Sequence, residues 1–267
     1  MSGNETIGVV IPTFNSADTI VRALKSVLRQ TLAPKKVVVV DNASSDSTCQ
    51  VVETFSTQYP QLHIDLVRLD VNLGPGAARN IGWEKCETSL IAFLDSDDSW
   101  HPQKLELQRE LVRKNPDGLV FGHRYLVVTS NSQPLDVEIS NFSRTRHYWL
   151  RHFLFRNRLS TPTVMLRSTI PQRFPSDMWY AEDFFLWTVT VAQTGPAIFD
   201  DAILTYLYKP AYGSSGLSAQ LRKMHQGELT VLKSLVKFKL ISCITYILVF
   251  LWMRIKYFHR RVRGMFQ

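Results

Sequence analysis

The 267-residue chain predicts an α/β fold with a mostly parallel central sheet and a helical C-terminal tail. Two observations carry that expectation. Short apolar runs at residues 7–11, 37–40 and 90–94 alternate with stretches of 3.6-residue apolar rhythm, as strands joined by crossover helices do. The second run, Val37-Val38-Val39-Val40, is β-branched throughout, as suits a parallel strand covered on both faces.

The first run closes at Pro12, after which Ser16 or Asp18 can cap a helix whose apolar positions are Ile20, Val21, Leu24, Val27 and Leu28. Ser44, Ser45 and Asp46 offer caps for a helix reaching about Tyr59. Residues 63–69 alternate enough for a third strand, and 77–85 read as helix. The strand at 90–94 ends in Asp95-Ser96-Asp97-Asp98, and Pro102 can open a helix to about Lys114. Beyond Gly118 the pattern loosens. It gives a strand at 119–129, a turn at 131–134, an aromatic and basic helix at 147–157, and a strand at 163–166. A helix at 182–192, a strand at 198–207 and a polar loop at 213–216 lead into helix from 218 onward.

Apolar residues at 45% and charged residues at 20% provide a full core and exclude a disordered chain. The net charge of +8 is concentrated at one end. From residue 220 on there are ten Lys or Arg against one acid, Glu228, so the first 219 residues carry −1. An anionic partner is therefore expected at the tail. Leu240–Met253 is uncharged but short for a membrane span. With Tyr246, Trp252 and basic flanks it reads as lying in an anionic membrane surface. The alternative is a helix packed on the body or on a second copy, which leaves a homo-oligomer open. Its continuous aliphatic character argues against nucleic acid. Cys49, Cys86 and Cys243 are scattered and suit a reducing cytoplasm. Residues 1–6 are polar, so no signal peptide is expected.

Four segments carry chemistry. Asp95-Ser96-Asp97-Asp98 stands at a strand's carboxyl end, where ligands of open α/β sheets gather. Clustered carboxylates repel unless a cation offsets them, and oxygen-only ligands suit Mg²⁺ or Mn²⁺; the same residues could instead cap the next helix. Asp41-Asn42 ends the second strand and could read a base or ribose. In Asn72-Leu73-Gly74-Pro75-Gly76 the glycines permit a tight turn, and Arg79 beyond it could face phosphates or an acidic cluster. A dinucleotide-binding loop is excluded, because Pro12-Thr13-Phe14-Asn15 follows the first strand where three glycines are needed. Glu182 and Asp183 open a helix among aromatics, a setting that can raise a carboxylate toward general-base range or simply cap the helix.

Taken in order, Val9–Asn15, Ser26–Thr31, Val38–Asp46, Asn72–Asn80 and Phe93–Trp100 resemble the family 2 glycosyltransferases with the GT-A fold, as found in bacterial surface-polysaccharide synthesis. The resemblance runs over residues 7 to about 108, with a looser continuation through Thr161-Pro162-Thr163-Val164-Met165 and Glu182-Asp183. It implies a nucleotide-sugar-binding half at residues 1–116, an acceptor-binding half at 117–217, and the basic, apolar tail at 218–267. It implies an inverting transfer from a nucleotide diphosphate sugar, most simply a UDP-sugar, to a glycan or polyprenyl-diphosphate-linked acceptor. Pro12, Thr13, Asn15, Asp41, Asn42, Asn72, Gly74, Arg79 and Asp95 would bind the donor, and Asp97 with Asp95 would hold Mn²⁺ or Mg²⁺. Asp183 would deprotonate the acceptor, with Glu182 as its rival. The implied location is the cytoplasmic face of the inner membrane, held peripherally. Two departures stand out: Asn42 occupies a place where many relatives carry a second Asp, and Lys209 one where many carry His, so the chain would either do without that His or pair Lys209 with the donor diphosphate directly. A sugar nucleotidyltransferase would share metal and nucleotide but need a Gly-rich basic loop after the first strand, which residues 16–19 lack. A silent nucleotide-sugar-binding protein is separated only by an assay.

Overall fold

The computed structural model describes residues 5–128, 144–208 and 219–264. Strand β1 (Ile7–Thr13), helix α1 (Ile20–Leu28), β2 (Lys36–Asp41), α2 (Thr48–Gln58), β3 (Ile64–Arg68), α3 (Pro75–Cys86) and β4 (Leu90–Phe93) follow one another in strict alternation. The four strands are parallel, in the order β3-β2-β1-β4. Helices cover both faces, which is why Val37 to Val40 are all fully buried and why neither face of β2 needs a polar residue.

The second part adds β5 (Ser99–Trp100), α4 (Lys104–Lys114), β6 (Val120–Val127), β7 (Thr145–Tyr148), α5 (Leu150–Phe153), β8 (Met165–Arg167), α6 (Glu182–Thr194) and β9 (Ala197–Leu207). β8 runs antiparallel between β4 and β6. β9 lies parallel to β6 and antiparallel to β5 and β7. The longest ladders, β6 with β9 and β1 with β2, are parallel, so the sheet is mostly parallel as its sequence implied.

Three local expectations are corrected. Residues 147–157 do not form one helix: 145–148 is strand and only 150–153 is helical. Pairing with β9, backed by the Arg146–Asp201 ion pair at 2.7 Å, overrides the local rhythm. The helix expected at Pro102 starts at Lys104 with Gln103 as its N-cap, so neither Asp98 nor Ser99 caps it. Ser99 and Trp100 pair with β9 instead. Residues 161–163 make a 3₁₀ turn, and the strand expected at 163 begins at Met165. The turn at 131–134 and the loop at 213–216 lie outside the described residues.

Helices α7 (Leu221–Lys237) and α8 (Cys243–Gly264) complete the chain. Val231, Leu232, Leu235, Val249 and Met253 are buried in the same apolar cluster as Phe93, Phe184 and Trp187. Gly227 lets α7 come against the turn ahead of α6; a Cβ there would lie 2.4 Å from the Tyr180 carbonyl oxygen. The opposite face of the sheet holds a second cluster built on α1, α2 and α4. Among the described residues no helix is long and apolar enough to cross a membrane.

Candidate active site

The carboxyl ends of β1, β2 and β4, with the start of α6, enclose a cavity of about 700 Å³. Pro12, Thr13, Asn15, Asn42, Asn72, Arg79, Asp95, Asp97, Glu182 and Asp183 all line it. Asp41 and Gly74 support its wall, and Lys209 lies outside the described residues.

Short polar contacts fix the loops that form this wall. Asn15 takes a left-handed conformation, φ 48°, which Asn tolerates better than most residues. Its N–H donates to Ser44 Oγ at 2.9 Å, and its Oδ1 accepts the Ser45 N–H at 2.8 Å. Asp41, buried, accepts the Ser44 N–H at 3.1 Å. Asp46 accepts the Ala17 and Thr48 N–H groups, tying the β1 loop to the start of α2. Asn42 is spent on the loop before α3: its Nδ2 donates to Asn72 Oδ1 at 2.8 Å and its Oδ1 accepts the Leu73 N–H at 2.8 Å. Gly74, at φ 84°, turns that loop into the helix, and a Cβ there would meet the Trp179 ring at 3.2 Å. Thr13 Oγ1 is buried with no hydrogen-bond partner among the described residues.

Arg79 links the two halves of the cavity. It donates to Asp95 Oδ1 and to Glu182 Oε1, each at 2.8 Å, while buried to 6% exposure. Burial disfavours its charge, but Asp95 and Glu182 override that and hold it above the usual arginine range. Glu182 is pushed up to about 7 by burial, against the pull of Arg79 and with a further push from Asp183. Asp98 is raised by burial and then by Asp95 and Asp97 beside it. That crowding is the condition a cation relieves. Asp95 and Asp97 both line the cavity, enough for an ion that completes its shell with phosphate oxygens and water. Among the described residues no group of three or more His, Cys, Asp or Glu is placed to hold a metal ion by itself, so the chain offers a partial shell at most.

Asp183 stands elsewhere. It is the second residue of α6, whose N-cap Ala181 adopts φ 60°, and its Oδ1 accepts the Phe184 N–H at 2.6 Å. Its Oδ2 accepts from Asn157 Nδ2 at 3.1 Å and Thr161 Oγ1 at 3.4 Å. Burial raises it above the ordinary carboxylate value despite Arg79 and these donors. It lines both the first cavity and a second one of about 650 Å³, which also takes in Ser160, Tyr125 and Met224. Glu182 faces the first cavity alone.

Sequence reasoning missed several of these groups. Asn157 sits in no motif, and Thr161 lies in a stretch that gave no hint of a partner; only the fold brings both to Asp183. Ser16 Oγ and Ser96 Oγ meet at 2.8 Å, joining the β1 loop to the acidic run. Arg22 donates to the Asp97 carbonyl and stacks its guanidinium 3.6 Å from the Tyr208 ring centre. Tyr208 in turn donates its N–H to Asp98 at 3.4 Å. Arg22 lay on a helix face that reads as ordinary solvent-facing charge.

A carboxylate-rich cleft at the strand ends of a doubly covered parallel sheet, with a buried acid facing it from the second half, has the place and chemistry of an α/β enzyme's active site. Residues 8–169 match Glycosyl transferase family 2, and the chain belongs to that family. A relative in Escherichia coli, UDP-Glc:alpha-D-GlcNAc-diphosphoundecaprenol beta-1,3-glucosyltransferase WfgD, is 30% identical over 181 residues, 68% of each chain. The succinoglycan biosynthesis protein ExoO of Rhizobium meliloti (strain 1021) is 45% identical over 96 residues, 36% of this chain and 26% of that one. The crystal structure of S. aureus TarS 1-349 in complex with UDP-GlcNAc is similar with TM-score 0.68 at 22% identity, over 86% of this chain and 66% of that one. Mannosyltransferase PcManGT from Pyrobaculum calidifontis, in complex with GDP-Man and Mn²⁺, is similar with TM-score 0.68 at 18% identity, over 88% and 65% of the two chains. These likenesses establish the GT-A fold.

The Arg79 bridge gives a direct test of what holds the site together. Arg79→Gln leaves two acids without their shared cation and is expected to cost about 3–5 kcal/mol in urea unfolding. Arg79→Lys should also be damaging, because one ammonium cannot span both carboxylates as the planar fork does. A loss below about 1 kcal/mol for Arg79→Gln would show that the bridge does not stabilise the fold.

Proposed function

We propose that the protein is an inverting glycosyltransferase that moves a sugar from a UDP-sugar to a glycan or polyprenyl-diphosphate-linked acceptor in cell-surface polysaccharide synthesis. The observation that carries this reading is the place of Asp183 at the junction of the two cavities. Donor in the first cavity and acceptor in the second then meet at one carboxylate. The names of WfgD and of the TarS complex, with their UDP-sugars, support the choice of uracil. The buried, unpartnered hydroxyl of Thr13 and the carboxylate of Asp41 supply polar groups at the base-binding end.

In the proposed step an acceptor hydroxyl attacks the anomeric carbon from the face opposite the diphosphate. A new carbon–oxygen bond forms, the bond to the diphosphate oxygen breaks with its electron pair, and the hydroxyl proton passes to Asp183. One displacement inverts the centre, and the positive charge developing on the sugar is the same problem that glycoside hydrolysis solves. Asp183 is preferred over Glu182 because Glu182 is engaged by Arg79 and serves to place it. A divalent ion held through Asp97, with Asp95 beside it, would neutralise charge building on the departing diphosphate. Burial and the Asn157 and Thr161 donors orient Asp183 toward the acceptor side.

The same reading places the protein peripherally on the cytoplasmic face of the inner membrane. Ile244, Leu248, Leu251, Ile255 and Phe258 are each more than half exposed and follow helical spacing along α8. Basic residues flank this stripe, so an anionic leaflet would meet charge and apolar area together.

Three measurements check the reading. UDP titrated into wild type and Asp97→Ala, each with and without Mn²⁺, should show a metal-dependent gain in wild type alone. Equal affinity in all four would remove the ion from the mechanism.

Asp183→Asn should lower kcat by about 10²-fold or more while sparing UDP affinity. Because Asp183 is raised, its base form is lost as pH falls, so the acid limb of the wild-type profile should lie above the ordinary value of about 3.9. If Glu182→Gln proves the damaging change and Asp183→Asn the mild one, the base has been misassigned.

Flotation with phosphatidylglycerol liposomes should be strong at low salt and weaker but persistent at high salt, since apolar burial is insensitive to screening. Leu251→Asp with Ile255→Asp should abolish it. Wild type that stays at the bottom of the gradient at low salt would refute the membrane assignment.

A further inference from the structure

The second cavity is lined by an excess of positive charge that the transfer chemistry does not use. Arg124, Arg146, Arg156, Arg158, Lys256 and Arg260 face it, against the carboxylates of Asp183, Asp201 and Glu228. Those carboxylates are already engaged. Asp201 takes Arg146 in a bidentate pair, with contacts of 2.7 and 3.0 Å. Glu228 accepts from Lys256 at 3.0 Å and Arg260 at 3.4 Å. Asp183 is held by Asn157 and Thr161. Arg156 and Arg158 form no ion pair among the described residues; Arg158 gives its Nε to the His152 carbonyl at 3.1 Å, and its guanidinium lies 5.5 Å from the Tyr148 ring centre. His123 adds no further positive charge, because burial pushes it down to about 3 and keeps it neutral.

Like charges held together in a cavity repel, and the strain is felt by Lys256. Its ammonium is lowered by burial first, and Arg260 and Arg156 lower it further against the pull of Glu228. A cavity of this size and charge suits an anion with several oxygens, since guanidinium groups match phosphate in geometry as well as charge.

We propose that the second cavity is an anion subsite that binds the phosphate or diphosphate of the acceptor, with Arg124, Arg156 and Arg158 as its principal donors. The inference rests on the glycosyltransferase reading above for the word acceptor, but the anion site itself does not. It makes α8 part of the substrate site: Lys256 and Arg260 stand on the helix whose other face carries the exposed apolar stripe. Trp252, one turn before Lys256, meets Phe155 at 6.3 Å between ring centres, and Phe155 adjoins Arg156. A phosphate at the head of a lipid chain and a soluble phosphorylated glycan would both satisfy this chemistry.

The test uses the full chain and inorganic pyrophosphate, titrated by calorimetry with the first cavity saturated by UDP and Mn²⁺. Wild type is expected to bind one further pyrophosphate. Arg124→Gln with Arg156→Gln should weaken that binding at least about tenfold, and Arg156→Lys much less. UDP affinity and the melting temperature report that the double variant is folded. Equal pyrophosphate affinity in wild type and the folded double variant, or none in wild type, overturns the proposal. If UDP fails to bind wild type, the donor reading falls instead, and a pyrophosphate site lost in the double variant still upholds this one. Phosphatidylglycerol vesicles that displace pyrophosphate assign the anion to a lipid headgroup. Vesicles that leave it bound assign it to a soluble phosphate, and in both cases the subsite stands.

Discussion

Everything at the site is arranged around one buried guanidinium. Arg79 reaches the site from α3, Asp95 from the end of β4 and Glu182 from the start of α6, and no two of these are neighbours in sequence. Each acid is costly to bury alone, and so is the arginine. Together they fix where the second half of the chain sits on the first. The bridge also explains the loop ahead of α3: Asn42 and Asn72 tie it down, and Gly74 turns it so that the helix starts where Arg79 can reach both partners.

Burying that bridge divides labour among the carboxylates. Asp95 and Glu182 are committed to Arg79, and Asp98 is buried against Tyr208. Asp97 stands at the cavity, and Asp183 is set apart by neutral donors. Asp95, Asp97, Asp98, Glu182 and Asp183 crowded along one cleft would otherwise be an electrostatic liability. Here burial, one cation and a few amide and hydroxyl donors give each a separate environment, which is how one site can hold acids in different protonation states at the same pH.

Much of this was legible in the sequence, for identifiable reasons. Short runs such as residues 37–40 leave little alternative to a doubly covered strand, and Gly74 followed by Pro75 marks a turn into a helix by local chemistry alone. Arg79 was legible as a cation that could face an acidic cluster. Its pairing with Glu182 was not, because a contact across 103 positions leaves no local trace. The same limit applies to Asn157 and Thr161. The aromatic and basic helix expected at 147–157 failed because residues 145–148 are matched to β9 by strand register and by Asp201. The charge division was visible, but its meaning was incomplete: part of the basic tail turns inward.

That inward turn changes what the C-terminal helices are for. A segment appended only to reach a membrane would have no need to bury Val231, Leu235, Val249 and Met253 in the core of the body. Nor would it need Gly227 against the backbone of the turn that presents Glu182 and Asp183. α7 buttresses the acids, and α8 lays Lys256 and Arg260 along the second cavity while showing aliphatic residues outward. On the proposed reading these two faces answer a single problem. An acceptor whose sugar must reach Asp183, whose phosphate needs cations and whose chain needs apolar cover presents its three parts in a fixed order. One helix with a basic face and an apolar face, packed beside the proposed base, meets that order.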